Sequence, residues 1–226
     1  MHSENELGYQ TRSDGFGILY GEIAGALIER CGRNGMGIVR KAVAAYGKKK
    51  GKRLREQYMG SGVRTDLHNL MAAEDGCWKD PRTLKTTVRD TPEAQLWEIY
   101  SCPLEKNWRD RGREEAGRLY CEEYLHALMD GYGEGAGQAN VSNSKTCRRD
   151  DRCVMAMYCR TANQNETQKG TGDGNGIIRE IPVEESTLLL YRCFIEVMKE
   201  EKDAEVVAAV TYGIKNGAEI MAETLI

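Results

Sequence analysis

Residues 83–101 read TLKTTVRDTPEAQLWEIYS, and how they are read decides the fold. Thr86, Thr87 and Val88 before the turn, and Trp97, Ile99 and Tyr100 after it, are the β-branched and aromatic types that favour extended chain. Thr91-Pro92-Glu93 stands between them, and a proline there suits a reversal of direction. The stretch is expected to be a strand pair. Elsewhere most periodicities are helical, so the chain is expected to be α+β: N-terminal helices, then an antiparallel sheet covered by helices, then a C-terminal helical pair.

Upstream of the strand pair, Asp14 can cap a helix whose apolar positions Ile18, Leu19, Ile23 and Leu27 recur at helical spacing. The CGRNG of residues 31–35 should end it. Met36, Val39, Val43 and Tyr46 carry a second helix through KKKGKRLR to about Tyr58, and Val63, Leu67 and Leu70 mark a third. Downstream, helices are expected over roughly 103–111 and 114–130, followed by the breaking GYGEGAG and a second hairpin, QANVSNSKT and RCVMAMYC, across RRDD. These elements make an expected domain over 1–160. Residues 161–182 are expected to be a linker or exposed loop: 161–175 hold no strongly apolar side chain except Ala162, and TGDGNG closes that stretch. A helical hairpin over 183–226 follows, with Leu188, Leu189, Phe194, Ile195 and Met198 on its first helix and Val206, Val210, Ile214 and Met221 on its second. It is expected to pack on the main domain or on a second copy, giving a homo-oligomer.

Across 226 residues, 40% hydrophobic and 30% charged side chains describe a soluble globular protein. A net charge of -3 gives no reason to expect nucleic acid as a partner, and no apolar run is long enough to cross a membrane. The expected location is the cytoplasm, where the eight cysteines stay reduced and thiol or metal chemistry gains weight over disulfides. Cys31, Cys77, Cys159 and Cys193 have no partner at ligand spacing and read as core. The glycine-rich GRNGMG and GTGDGNG lack the ending of a phosphate loop, and KKKGKR reads as a solvated helix face or, less simply, an anion site.

Eight cysteine, histidine and glutamate positions carry the candidate chemistry. Cys102 precedes Pro103, so its thiol should lie at a helix N-terminus, where backbone N–H groups and the helix dipole favour a thiolate as nucleophile or metal ligand. Cys121 shares an inward helix face with Leu125 and Leu128, while Cys147 and Cys153 flank the RRDD turn. Cys121, Cys147 and Cys153 are expected to converge on a metal with Cys102 as a further ligand, zinc being the first choice and an iron–sulfur cluster the second. His68 beside Asp66, and His126 one turn after Glu122, are the proton-transfer candidates, together with Glu122 and Glu123.

FGILYGEIAGALIERCGRNGMGIVRKAVAAYGKKKGKRLR at 16–55, WEIYSCPLEKNW at 97–108 and GRLYCEEYLHALMDGYG at 117–133 together resemble the L-2-amino-thiazoline-4-carboxylic acid hydrolase family, over roughly residues 15–160. The resemblance is most specific at YG-x3-G-x-R (46–53), Cys102-Pro103 and LYCEE (119–123). It implies a small-molecule hydrolase that opens a cyclic amidine at a C–N bond, adding water at the carbon between ring sulfur and nitrogen to give a carbamoyl-cysteine. The second half is also similar to 4-vinyl reductase type small-molecule-binding domains, including zinc-bearing sensors, through Cys121, Cys147 and Cys153. In those sensors a glutamate also binds zinc; Ser144 stands there in this chain, with Cys102 or Glu122 as its replacement. Two functions follow: a hydrolase using metal-bound hydroxide or the Cys102 thiolate, or a zinc-stapled binding module holding a small molecule near Trp97, Tyr100 and Trp108.

Overall fold

A computed structural model describes residues 4–61, 66–73, 77–142, 151–160 and 181–224. Its first element, α1 (Glu4–Ser61), is a run of helix reversed at Gly32, whose φ of 54° lies in the left-handed region that glycine adopts without a Cβ clash. Phe16 and Tyr46, on opposite sides of that glycine, have ring centroids 6.3 Å apart. A straight helix would separate them by about 45 Å at its rise per residue. The two arms therefore run back along each other, and the break falls within residues 31–35, where the sequence pattern predicts a helix end.

A short helix, α2 (Leu67–Ala73), buries Leu67 and Leu70, and the expected Val63 lies outside the described residues. The strand pair follows as β1 (Leu84–Thr91) and β2 (Ala94–Ser101). Thr91 closes the turn between them: its hydroxyl accepts from the Ala94 N–H and donates to the Ala94 carbonyl, each at 2.9 Å. Two further helices, α3 (Pro103–Asp110) and α4 (Glu114–Gly133), lead to β3 (Gly137–Ser142) and β4 (Cys153–Cys159). The sheet has the order β1-β2-β4-β3, with antiparallel pairing throughout. β1 is an edge strand with mostly exposed side chains, including Lys85 and Arg89 that discourage further pairing. On the inner face, Trp97 stands opposite Met155 and Ile99 opposite Cys153. The α+β expectation is borne out.

Glycines bring α4 against the second arm of α1. A Cβ at Gly51 would stand 2.2 Å from the Leu128 carbonyl oxygen, and one at Gly47 2.7 Å from that of Tyr124. Near the other arm, Trp108 donates its indole N–H to the Gly17 carbonyl at 3.0 Å, and Tyr20 its hydroxyl to the Ala116 carbonyl at 2.6 Å. The C-terminal pair, α5 (Val183–Glu201) and α6 (Ala204–Thr224), lies on the arms of α1. Arg53 pairs with Glu185 at 2.6 Å, and a Cβ at Gly213 would meet Ile23 Cα at 2.5 Å. Among the described residues no helix is long and apolar enough to cross a membrane.

Candidate active site

The junction of the two α1 arms, α3, α4, β4 and α5 encloses a cavity of about 60 Å³. At about 10–15 Å³ for each water centre, that is room for a few waters or a compact ligand. Its walls are mainly aromatic: Phe16 and Tyr46 from α1, Trp108 from α3, and Tyr120 and Tyr124 from α4. Tyr124 stacks on Tyr46 at 5.3 Å and on Tyr120 at 5.0 Å, with interplanar angles of 20° and 17°. Phe16 and Val183 also border a wider apolar groove of about 350 Å³ that runs over Leu19, Leu188 and Tyr191.

Into this apolar wall projects a cation. Lys50 is 1% exposed, and its ammonium lies 5.8 Å from the centre of the Tyr124 ring. The reason is helical spacing: Tyr46, Lys50, Leu54 and Tyr58 recur every four residues and are all buried, so the face that carries the core aromatics carries the lysine too. The expectation of a solvated face for KKKGKR holds for Lys48, Lys49 and Lys52, which are exposed, and is corrected at Lys50.

Cys102 also lines the cavity, as the N-cap of α3 with Pro103 in the first turn. Its extended backbone (φ -131°, ψ 118°) continues β2 into the helix, and its side chain makes no capping hydrogen bond. The sequence expectation of a thiol at a helix N-terminus is met. Cys121 lines the same cavity from α4, so two of the candidate thiols share one wall. Cys153 is buried in the core on the inner face of the sheet, opposite Ile99, and does not border the cavity. Cys147 and Ser144 lie outside the described residues. Among the described residues no three histidine, cysteine, aspartate or glutamate side chains are grouped to hold a metal. The donor set for zinc is thus not assembled by Cys102, Cys121 and Cys153.

The remaining candidates sit apart from the cavity. Glu122 accepts from Arg40 and Arg118, each at 2.5 Å, and Arg40 also pairs with Glu123. Burial pushes the Glu122 carboxyl up, but the two guanidiniums outweigh it and hold it below the usual glutamate range. It is a clamped anion on the outside of the helix turn that carries Cys121. His126 is exposed on α4, and His68 is exposed with Nδ1 3.3 Å from Asp90, so neither imidazole lines the cavity. Of the residues expected to form a binding pocket, Trp108 lines it; Trp97 packs behind it against Trp78, and Tyr100 donates to Glu98 at 2.7 Å elsewhere. Among the cysteines read as core, Cys159 and Cys193 are buried and Cys31 half-buried.

Lys50, Ser13 and Ser186 are among the lining residues the sequence reading did not single out. The four-residue spacing of Tyr46, Lys50, Leu54 and Tyr58 was the available signal for the lysine. A family model described as L-2-amino-thiazoline-4-carboxylic acid hydrolase matches residues 16–164, which spans the cavity wall from Phe16 to Met155. No curated protein and no solved structure matches the chain.

Proposed function

The chain belongs to the L-2-amino-thiazoline-4-carboxylic acid hydrolase family, and from that premise we propose that the cavity binds a small cyclic amidine acid and opens its ring at a C–N bond. L-2-amino-thiazoline-4-carboxylate is the proposed type substrate. The observation that carries the reading is Lys50, a buried cation among aromatic faces. Its ammonium stands over the Tyr124 ring, and a compact ligand with a flat ring and one carboxylate complements an aromatic wall that carries a cation. The ring lies against the tyrosines, and the carboxylate takes the ammonium.

Cys102 is the proposed nucleophile, since the α3 N-terminus favours its thiolate and the same wall holds both it and Lys50. The thiolate attacks the carbon between ring sulfur and nitrogen, forming a C–S bond. The ring C–N bond then breaks, and the departing nitrogen takes a proton from Cys121, the second thiol lining the cavity. Water next adds to the same carbon and releases Cys102, so the carbamoyl oxygen comes from water. Glu122 is a positioning residue in this scheme: with Arg40 and Arg118 it fixes the turn on which Cys121 sits.

The test is turnover of L-2-amino-thiazoline-4-carboxylate by the purified protein. Cys102→Ala is expected to lower kcat by about 10³-fold or more while leaving the melting temperature unchanged. A normal rate in that variant would remove the thiol from the mechanism. Thiol titration of the product identifies the bond: opening at C–N gives S-carbamoyl-cysteine and no new thiol, whereas opening at C–S releases one.

A further inference from the structure

Buried polar atoms are nearly always hydrogen-bonded, so an orphan on a cavity wall calls for a reason. Among the described residues, Gln95 Oε1, Asn107 Oδ1 and Ser186 Oγ are buried without a partner. Of these three residues only Ser186 borders the aromatic cavity, and it is 3% exposed. The usual outlet for a helical hydroxyl is the carbonyl one turn back. Thr187 takes it, donating to the Val183 carbonyl at 2.7 Å, but Ser186, one position earlier, leaves its hydroxyl unused.

Ser186 lies on α5, beyond the residues 16–164 that carry the family match. The Arg53–Glu185 pair, 2.6 Å long, holds the first turn of α5 against the part of α1 that carries Lys50. Val183 and Ser186 line the same cavity as Tyr46 and Lys50. We infer that Ser186 is a specificity-determining residue, whose hydroxyl donates to the carboxylate of the ligand that Lys50 neutralises. The C-terminal helices then do more than cover α1: they complete the acid-binding end of the site. This assignment rests on the proposed reading for the identity of the substrate, though not for the chemistry of the carboxylate.

Two probes separate the one from the other. Benzoate, a planar carboxylate that is not turned over, reports the acid-binding end alone, and L-2-amino-thiazoline-4-carboxylate reports the complete substrate. In otherwise native protein, Ser186→Ala is expected to weaken benzoate binding about tenfold or more and to raise KM for the thiazoline by a similar factor, because a hydrogen bond to a charged group is lost. The ligand-free variant should melt at the same temperature or higher, since a buried hydroxyl with no partner has been removed. Ser186→Thr should restore binding. A lower melting temperature for ligand-free Ser186→Ala, or unchanged affinity for the probes that bind, would overturn the assignment. Benzoate binding without thiazoline binding would end the proposed substrate and leave Ser186 to be judged on benzoate alone. Native protein that binds neither probe would overturn both.

Discussion

Lys50 sits where two requirements of one helix face coincide: every fourth residue must be buried, and one of them is charged. Replacing it by methionine keeps the chain length of the side chain and removes only the cation. Lys50→Met is therefore expected to raise KM for an acidic substrate by on the order of 10- to 100-fold, as for loss of a charged hydrogen bond, and to change kcat less. Equal KM values in the two proteins would detach the lysine from binding. At this scale the sequence was partly legible. Cys102 was readable because proline leaves few conformations to its neighbour, so the strand-to-helix junction follows from two residues. Ser186 was not, because an orphan hydroxyl is a property of what surrounds it, and a serine in the first turn of a helix carries no mark of that. The expectation for Cys121 was half met: its inward face brought it to the cavity, but Cys153 went to the core.

Between elements, close approach depends on missing side chains. Gly47 and Gly51 face α4 along one stripe, and backbone atoms of α4 occupy the space that a Cβ would need. Gly51→Ala is expected to destabilise the protein by about 1–3 kcal/mol, the usual penalty of overpacking, measurable as a lower denaturant midpoint. An unchanged midpoint would show that the helices separate without cost. The same pair of elements is also joined by charge through Arg40, Glu122 and Arg118. Because the folded state holds Glu122 below its ordinary value of 4.5, its contribution to stability is present above that pH and is lost as pH falls through the depressed folded value. Arg118→Leu removes part of that support, so the variant is expected to unfold at a higher pH than the native protein on acid titration. Coincident acid transitions would contradict the linkage. The helices and strands themselves were legible from periodicity and turn residues. The reversal at Gly32 was legible as an ending, while the direct packing of one arm on the other had no local signal.

For the molecule as a whole, one buried anion helps to join the last helix to the core. Glu22, 3% exposed, accepts from Arg113 at 2.9 Å and from Asn216 at 2.7 Å, tying α1, α4 and α6 together. Glu22→Ala leaves the half-buried guanidinium of Arg113 short of its main partner and is expected to cost about 3–5 kcal/mol, with faster amide exchange across α6. Native-like exchange in α6 would mean that it is held by apolar packing alone. Sequence periodicity supplied both helices and their apolar faces, but the choice between the main domain and a second copy depends on Gly213 and Glu22, which read alone as an ordinary helical glycine and a surface acid. The central claim joins these scales: an acid-binding aromatic cavity, closed by the C-terminal pair, that hydrolyses a cyclic amidine. Its most direct test follows L-2-amino-thiazoline-4-carboxylate with the native protein in oxygen-18 water by mass spectrometry. The account predicts a carbamoyl-cysteine carrying one heavy oxygen, formed far more slowly by Lys50→Met at limiting substrate; unchanged starting material, or equal rates for the two proteins, would contradict it.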